Sequence, residues 1–231
     1  METLSERLAA VRERISCALR KAGRAEDSAR LVAVSKTFPA EAVASAREAG
    51  QFLFGENRVQ ELATKVPVLP QDIEWHLIGH LQANKVRAAV NLATWIHSVD
   101  TADLLRRIVR IAEEENRTPR LLLEVNVSGE ASKFGMRADE VEATVSACPT
   151  PLLCGLMTVA PAEATVAELH QVFASLRKLR DSVAAATGHP LPELSMGMSG
   201  DFEIALAEGA TIVRIGSAIF GHRDYPAGAP G

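Results

Sequence analysis

The residue that most clearly suggests chemistry is Lys36, which follows an apolar run and precedes a proline in the segment LVAVSKTFP, residues 31–39. A lysine amine in apolar surroundings can lose basicity and attack a carbonyl carbon, forming a Schiff base. The alternative is a strand-end lysine whose methylene stem lies on apolar surface while its amine stays in water. The segment alone favours this second interpretation. Whether Lys36 is instead a Schiff-base lysine depends on the other unusual residues of the chain.

Two turns that contain glycine and serine are candidates for binding an anion. MGMSGD carries Met198, Ser199 and Gly200 just before a helical segment, and RIGSAIFG carries Gly216 and Ser217 at the start of another. Exposed backbone N–H groups attract anions, and glycine lets a phosphate approach the backbone closely. Each turn alone is more often simple turn chemistry. With both turns present, the phosphate interpretation becomes as good as that alternative.

Arg214 is the third unusual residue, because it interrupts the otherwise apolar run TIVRIG. A buried arginine keeps its charge and must therefore be paired or functional. One interpretation is an ion pair that fills the interior, with Asp201 and Glu203 on the preceding helix as available partners. The other is a fixed donor that points at a ligand atom.

Together these residues narrow the chemistry to two classes of ligand. An amine, a phosphate cradle and a cation facing a ring nitrogen are what pyridoxal phosphate (PLP) requires. A Schiff-base aldolase acting on a phosphorylated sugar would need only the amine and the phosphate cradle.

Short apolar runs alternate with helical segments along the chain, and these elements would position the residues above. The predicted strands are 31–35, 52–55, 75–79, 95–99, 121–127, 152–157, 193–197 and 211–216. Eight such strand–helix units predict an α/β fold with a parallel sheet, and in this length a TIM (β/α)8 barrel, which typically needs about 250 residues. A doubly wound open sheet is the competitor, but the first strand is followed by SKTFP, which has no glycine-rich turn. In a barrel, the residues that follow the strands share one face, where active sites lie.

An extra amphipathic helix precedes the barrel. Its apolar residues recur at steps of three and four positions: Leu4, Leu8, Val11, Ile15 and Leu19. Thr3 and Glu6 fit a capping box, and Gly23 supplies a stop. We expect a single domain over 1–231, with the helix of 1–23 packed on the barrel and a tail over 224–231.

Composition excludes several other classes of protein. The chain has 231 residues, of which 47% are hydrophobic and 23% charged, as in ordinary globular proteins. Its net charge of −4 gives no basic field, so we expect no nucleic-acid or membrane partner. The three cysteines form no C-x-x-C pair, and we expect them to be reduced. No apolar run approaches the roughly 20 residues of a membrane span, and the charged N-terminus is unlike a secretory signal, so we expect a cytoplasmic location.

The chain resembles the pyridoxal phosphate homeostasis protein family, through motifs that run in order from about residue 31 to 221: VSKTFP, FGENRVQE, WHLIGHLQANK, SVDT, EVNVSGEASKFGM, GLMTVAP and LSMGMSGDFEIALAEGATIVRIGSAIFG. That family is similar in fold to the barrel domain of alanine racemase, a fold-type III PLP protein. The resemblance implies that Lys36 holds PLP as a Schiff base and that Arg214 faces the pyridine nitrogen. It also implies further cofactor-binding residues: Ser199, Gly216 and Ser217 at the phosphate, Met198 and Gly200 beside them, and Asn57, His80 and Met157 along the pocket.

The resemblance implies a role in intracellular PLP homeostasis, in which the protein buffers PLP and delivers it to apo-enzymes, with little or no classical catalysis. An arginine at the pyridine nitrogen leaves that nitrogen unprotonated, so a carbanion is poorly stabilised. The one tyrosine, Tyr225, lies in a Pro/Gly tail, and we expect no second domain to supply another proton donor. Racemisation needs acid/base groups on both faces of the cofactor. The alternative is a fold-type III amino-acid racemase or decarboxylase. We expect no metal site and a monomeric protein.

Overall fold

The computed structural model describes residues 2–127, 129 and 134–221 of the chain. The tail expected over 224–231, with Tyr225, lies outside the described residues. So do residues 128 and 130–133, which belong to the motif EVNVSGEASKFGM.

Eight parallel strands close into a barrel, which confirms the fold predicted from the alternating apolar runs. The strands of the described chain are β1 (Arg30–Val34), β2 (Leu53–Glu56), β3 (Glu74–Leu77), β4 (Trp95–Val99), β5 (Arg120–Asn126), β6 (Met136–Arg137), β7 (Leu153–Met157), β8 (Glu193–Ser195) and β9 (Ile212–Ile215). The ring runs from β1 to β5, continues through β7, β8 and β9, and closes where β9 pairs with β1. Strand β6 pairs with β5 outside this ring.

Strand β6 is the one element of the sheet that the apolar pattern did not predict, because two residues are too few to show a pattern. It returns beside the end of β5, where Val125 pairs with Met136. The approach depends on Gly135, which has φ +112°. A Cβ on this glycine would lie 2.7 Å from the backbone nitrogen of Asn126, so other residues would force the two segments apart.

Helices follow the barrel strands and cover the outside of the ring. They are α1 (Leu4–Lys21), α2 (Ala40–Glu48), α3 (Val59–Lys65), α4 (Val86–Leu92), α5 (Ala102–Glu114), α6 (Ala138–Ala147), α7 (Val166–Thr187), α8 (Phe202–Ala207) and α9 (Ser217–Phe220). Short 3₁₀ helices cover Val66–Val68 and Ala83–Lys85. Each was expected from a helical segment of the sequence except the 3₁₀ turn after α3.

The strand side chains pack into two separate apolar environments. One large cluster lies between the strands and the surrounding helices. A smaller one fills the barrel interior: Val32, Trp95, Leu122, Met157 and Ile212. Because both faces of each strand are buried, the strands read as nearly continuous apolar runs. This smaller cluster shows which residues of each strand point into the interior, and those positions carry the site described below.

Helix α1 is the extra helix expected before the barrel. Thr3 and Glu6 form the predicted capping box, and Gly23 follows the helix with φ +66°. The helix packs against α8 and α9, and Arg7 Nε donates to the carbonyl of Ile219 at 2.7 Å. Among the helices described, none is long and apolar enough to cross a membrane.

Candidate functional site

A cavity of about 790 Å³ opens at the carboxyl ends of the barrel strands. That volume is in the range of small-molecule sites, roughly 300–1,000 Å³. It is lined by most of the residues singled out from the sequence: Lys36, Asn57, Met198, Ser199, Gly200, Arg214, Gly216 and Ser217. Apolar side chains complete the wall: Val34, Phe38, Ile78 and Val159. Turns that follow several different strands, far apart in the sequence, therefore meet at one site.

Two of the candidate residues lie outside the lining of this cavity. Met157 points into the barrel interior and is 1% exposed. His80 lies on the surface, where its Nδ1 is 3.1 Å from Oδ2 of Asp100 and its ring stacks on Phe134. His80 lines a neighbouring groove of about 550 Å³ at the start of α5.

Lys36 is the second residue after β1, in a turn of unusual backbone geometry. The next residue, Thr37, has φ +65°, a conformation that is rare for a β-branched residue. Its backbone N–H donates to Oε2 of Glu61 at 2.5 Å, which ties the turn to α3. Strained backbone of this kind is found most often at ligand sites, where the surroundings hold it in place.

A buried ionic cluster lies directly behind Lys36, on the side of the strands that faces α3. Lys65 Nζ lies 2.5 Å from Oε1 of Glu56 and donates to the carbonyl of Ser35 at 2.9 Å. Ser35 Oγ donates to the same carboxylate at 2.7 Å. Burial raises the pKa of Glu56 to about 7, against the opposing effects of Lys65 and Ser35. These contacts fix the end of β1 from which Lys36 projects.

The two glycine–serine turns present hydrogen-bond donors that have no partner within the described chain. The backbone N–H groups of Ser199, Gly200 and Gly216 donate to no described residue. The turn at Met198 is held by Asp201, whose Oδ1 accepts from the Met198 N–H at 2.5 Å. Free N–H groups beside two serine hydroxyls are suited to the oxygens of a phosphate.

Arg214 is 4% exposed, and its partners differ from those considered from the sequence. Its Nη1 donates to Oγ of Ser195 at 2.6 Å and its Nη2 to the carbonyl of Thr158 at 3.0 Å, so both partners are neutral. Glu203 pairs instead with Arg14. The interpretation of Arg214 as one partner of an internal ion pair with Asp201 or Glu203 is therefore wrong. Both acids belong to the segment after β8, which lies at the barrel end, while Arg214 points into the interior from β9.

Burial lowers the pKa of Arg214 to about 10, with Glu124 and Asp201 opposing that change. The guanidinium is therefore still a cation at neutral pH. Because its direct partners are neutral, the charge remains available to a ligand in the cavity.

Glu124 is a further ionisable residue that acts on Arg214 and that the sequence patterns do not single out. It lies on β5 two residues after Leu122, which belongs to the interior cluster, so it faces the same way. Burial, together with the nearby Asp100, raises the pKa of Glu124 to about 7, and Arg214 acts in the opposite direction. The signal in the sequence was a carboxylate inside the apolar run LLLEVNV, the same kind of signal that marked Arg214.

The arrangement can hold a small aromatic molecule that carries a phosphate and a carbonyl group. The amine of Lys36, the cation of Arg214 and the unpartnered N–H groups supply three different kinds of contact on one apolar-walled cavity. In the described part of the chain, no group of three or more His, Cys, Asp or Glu side chains could bind a metal ion. The donor set thus suits an organic phosphate.

Comparison with known proteins gives consistent matches over nearly the whole chain. The family model of the alanine racemase N-terminal domain matches residues 7–224. A pyridoxal phosphate homeostasis protein of Aquifex aeolicus is 43% identical over 225 residues, which cover 95% of this chain and 98% of that protein.

Solved structures agree with these sequence matches. PipY of Synechococcus elongatus without PLP is 40% identical with a TM-score of 0.87, and its structure with PLP bound is 39% identical with a TM-score of 0.83. Each comparison covers 95% of this chain and 100% of PipY. Alanine racemase of Corynebacterium glutamicum, at 19% identity and a TM-score of 0.66, shares the fold over 96% of this chain and 63% of its own.

Proposed function

Because this chain belongs to the alanine racemase N-terminal domain family and, within it, to the pyridoxal phosphate homeostasis proteins, we propose that it binds PLP and serves in PLP homeostasis. One observation carries the proposal. A single cavity is lined by a lysine amine, a buried arginine and two turns with unpartnered N–H groups. A Schiff-base aldolase would leave Arg214 without a role, so that alternative has less support.

Each group in the cavity has a specific task in holding the cofactor. The amine of Lys36 would bind the aldehyde carbon as a Schiff base, in which one C=N bond forms and water leaves. Ser199, Ser217 and the N–H groups of Gly200 and Gly216 would hold the phosphate. Arg214 would donate to the pyridine nitrogen.

The same residues favour holding the cofactor over fast turnover. Bound PLP supplies an electron sink, and that sink is weak where an arginine leaves the ring nitrogen unprotonated. Among the described residues that line the cavity, Lys36 and Arg214 are the ionisable side chains, and Arg214 keeps its proton at neutral pH, so Lys36 is the one candidate for an acid/base group. Racemisation needs a second such group on the opposite face of the ring. These features support a protein that buffers PLP, and we extend the proposal to a monomer that passes PLP to apo-enzymes.

A panel of three ligands tests the binding proposal. PLP, pyridoxal without the phosphate, and pyridoxamine phosphate without the aldehyde are titrated calorimetrically into the wild-type protein. We expect each missing group to weaken binding by roughly tenfold or more. Pyridoxal would lose the charge-assisted hydrogen bonds to the phosphate, and pyridoxamine phosphate would lose the Schiff base. Equal affinity for all three ligands would refute the assigned cavity.

Incubation with amino acids separates a carrier from a racemase. The PLP-loaded protein is mixed with L-alanine, and the enantiomers are separated by chiral chromatography. We expect only slow conversion. Turnover at about 1 s⁻¹ or faster, which is an ordinary enzymatic rate, would favour the racemase alternative instead.

A further inference from the structure

A line of polar side chains crosses the apolar interior of the barrel and ends at Arg214. Arg214 Nη1 donates to Oγ of Ser195 at 2.6 Å. Ser195 Oγ lies 2.9 Å from Nδ1 of His97, and His97 Nε2 lies 2.9 Å from Nδ1 of His76. His76 Nε2 makes no regular hydrogen bond but lies 3.3 Å from Oε1 of Glu74, at the start of β3. The line thus joins the cavity to the opposite end of the barrel.

This arrangement is costly unless every polar atom finds a partner. Ser195, His97 and His76 are each 0% exposed. They lie among the apolar residues of the interior, where His76 stacks on Trp95 with the ring planes 4° apart. Burying a polar group without a hydrogen bond costs roughly 1–3 kcal/mol. Apolar side chains would fill this space without that cost, so the polar residues call for a functional explanation.

The chemistry of the two ends determines the direction of every hydrogen bond between them. A guanidinium only donates, so Ser195 Oγ accepts from Arg214 and its own hydrogen is directed to His97 Nδ1. His97 then carries its proton on Nε2 and donates to His76 Nδ1. His76 in turn carries its proton on Nε2, facing the carboxylate of Glu74.

If every hydrogen bond between Ser195 and Glu74 were reversed, the contacts at both ends of the line would be unfavourable. The reversal would leave the Ser195 hydroxyl hydrogen without an acceptor among the described residues. It would also set a lone pair of His76 Nε2 against a carboxylate oxygen, one that already accepts from Trp95 Nε1 at 2.6 Å. Neutral histidines are therefore required throughout. Burial lowers the pKa of both His76 and His97, and the contact with His76 is the largest cause that lowers the pKa of Glu74.

We propose that Ser195, His97, His76 and Glu74 form a positioning relay that holds Arg214 in the orientation needed to meet the ligand's ring nitrogen. The anchor of the relay is the Glu74 carboxylate, which fixes the tautomer of His76 and through it that of His97. His97 then fixes the Ser195 hydroxyl so that its lone pairs face Arg214. The part of this inference that concerns the ligand rests on the function proposed above, whereas the proton arrangement does not.

The proton arrangement is tested first, in ligand-free protein. The chain has six histidines, so ¹⁵N labelling of histidine and comparison with His76→Gln and His97→Gln assigns both signals. We expect both rings to stay neutral from pH 6 to pH 8 with the proton on Nε2, although Glu74, Arg30, Glu193 and Arg214 all act on them. A proton on Nδ1 of either ring would overturn the relay.

Coupling along the relay is tested by removing its anchor. In Glu74→Leu, His76 loses the acceptor that selects its tautomer. We expect the ¹⁵N signals of His97, which does not touch Glu74, to change towards a mixture of tautomers. Glu74→Gln, which keeps an acceptor oxygen, should restore the wild-type signals. Unchanged His97 signals in Glu74→Leu would show that no relay exists.

The effect on the ligand is then measured as PLP affinity by absorbance titration. In His97→Leu we expect roughly tenfold weaker binding, because Arg214 loses a correctly oriented partner. His97→Asn keeps an acceptor for Ser195 and should be less affected. Leu122→Met, a volume-conserving change in the same interior, is the control, and its PLP affinity should stay within about twofold of the wild type.

An equal loss of PLP affinity in all three variants would mean a packing effect only. Absence of PLP binding in the wild type would contradict the proposed function, while the tautomer measurements would still decide on the relay.

Discussion

Lys36 and Arg214 reach the same cavity from strands that are neighbours in the barrel, β1 and β9, where Val32 pairs with Arg214. Their environments differ. Lys36 projects from an exposed turn, while Arg214 is buried and bonded to neutral partners. The covalent link proposed for Lys36 would therefore form where water and ligands can enter. The fixed cation of Arg214 lies in the buried interior, where its charge is least screened by water.

Ser199→Ala tests the phosphate assignment at the level of one residue. The change removes one hydroxyl donor from the turn after β8, so we expect PLP to bind about tenfold more weakly while the barrel stays folded. The measurement is an equilibrium titration, with circular dichroism as the check on folding. Ser45→Ala, on the exposed face of α2, is the matched control. Wild-type affinity in Ser199→Ala would show that the phosphate lies elsewhere.

The raised pKa of Glu124 predicts how the free energy of unfolding depends on pH. Its pKa is raised to about 7 in the folded protein, whereas in the unfolded chain it has its ordinary value near 4.3. Between these values the folded state holds a proton that the unfolded state has lost, so this contribution to stability falls as pH rises. Relative to Glu124→Gln, the wild type should lose at most about 1.4 kcal/mol per pH unit from pH 5 to 7 and nothing more above it.

Urea unfolding of both proteins at pH 5, 6, 7 and 8 measures this difference. Other titrating groups are common to the two proteins and cancel in the comparison. Curves that run parallel, or a wild type that gains stability as pH rises, would show that the pKa of Glu124 is not raised.

At the scale of elements, close approach between strands makes some glycines irreplaceable. Gly155 on β7 lies so near β8 that a Cβ would be 2.0 Å from the carbonyl oxygen of Glu193. Gly155→Ala should therefore lower the free energy of unfolding by about 1–3 kcal/mol or more, because the strands must separate. Urea unfolding of the ligand-free protein gives the value.

Gly200→Ala is the control for this substitution. Nothing lies within 4 Å of its hypothetical Cβ, so its stability should change by less than about 0.5 kcal/mol. If both variants unfolded at the same urea concentration, the close approach at Gly155 would be of no consequence.

The barrel and most of its helices could be predicted from the sequence, because strand and helix periods alternate clearly. The strand bounds differ by only one or two residues. For example, β8 ends at Ser195 rather than at residue 197, where Gly197 has φ +95°. The turns at strand ends were also predictable, since lysine, glycine and serine stand out against apolar runs.

The barrel interior could not be predicted in the same way. Both faces of each strand are buried, so no polar alternation tells which side chains point inward. The sequence therefore shows His76 and His97 only as parts of strands, and it suggests partners for Arg214 that lie nearby in the chain. Its true partner Ser195 is brought to it by the pairing of β8 with β9.

At the scale of the whole molecule, the described surface supports a monomer. Among the described residues, six large apolar side chains are exposed: Val159 and Met198 line the ligand cavity, whereas Phe52, Val68, Phe134 and Val166 lie on separate segments of the chain. Scattered residues of this kind are normal on monomeric proteins. Light scattering after size exclusion should give a mass near 24.8 kDa with and without PLP. A mass of twice that value would contradict the monomer.

The central claim is that Lys36 holds PLP covalently, and one measurement tests it most directly. The protein is incubated with PLP, its visible absorbance is recorded, the complex is reduced with borohydride, and the modified peptide is identified by mass spectrometry. We predict a new absorbance band and a single modification on Lys36. Both should be absent in Lys36→Ala and retained in Lys178→Ala, which removes an exposed lysine of α7. A modification on another lysine, or an absorbance band that survives in Lys36→Ala, would contradict the account.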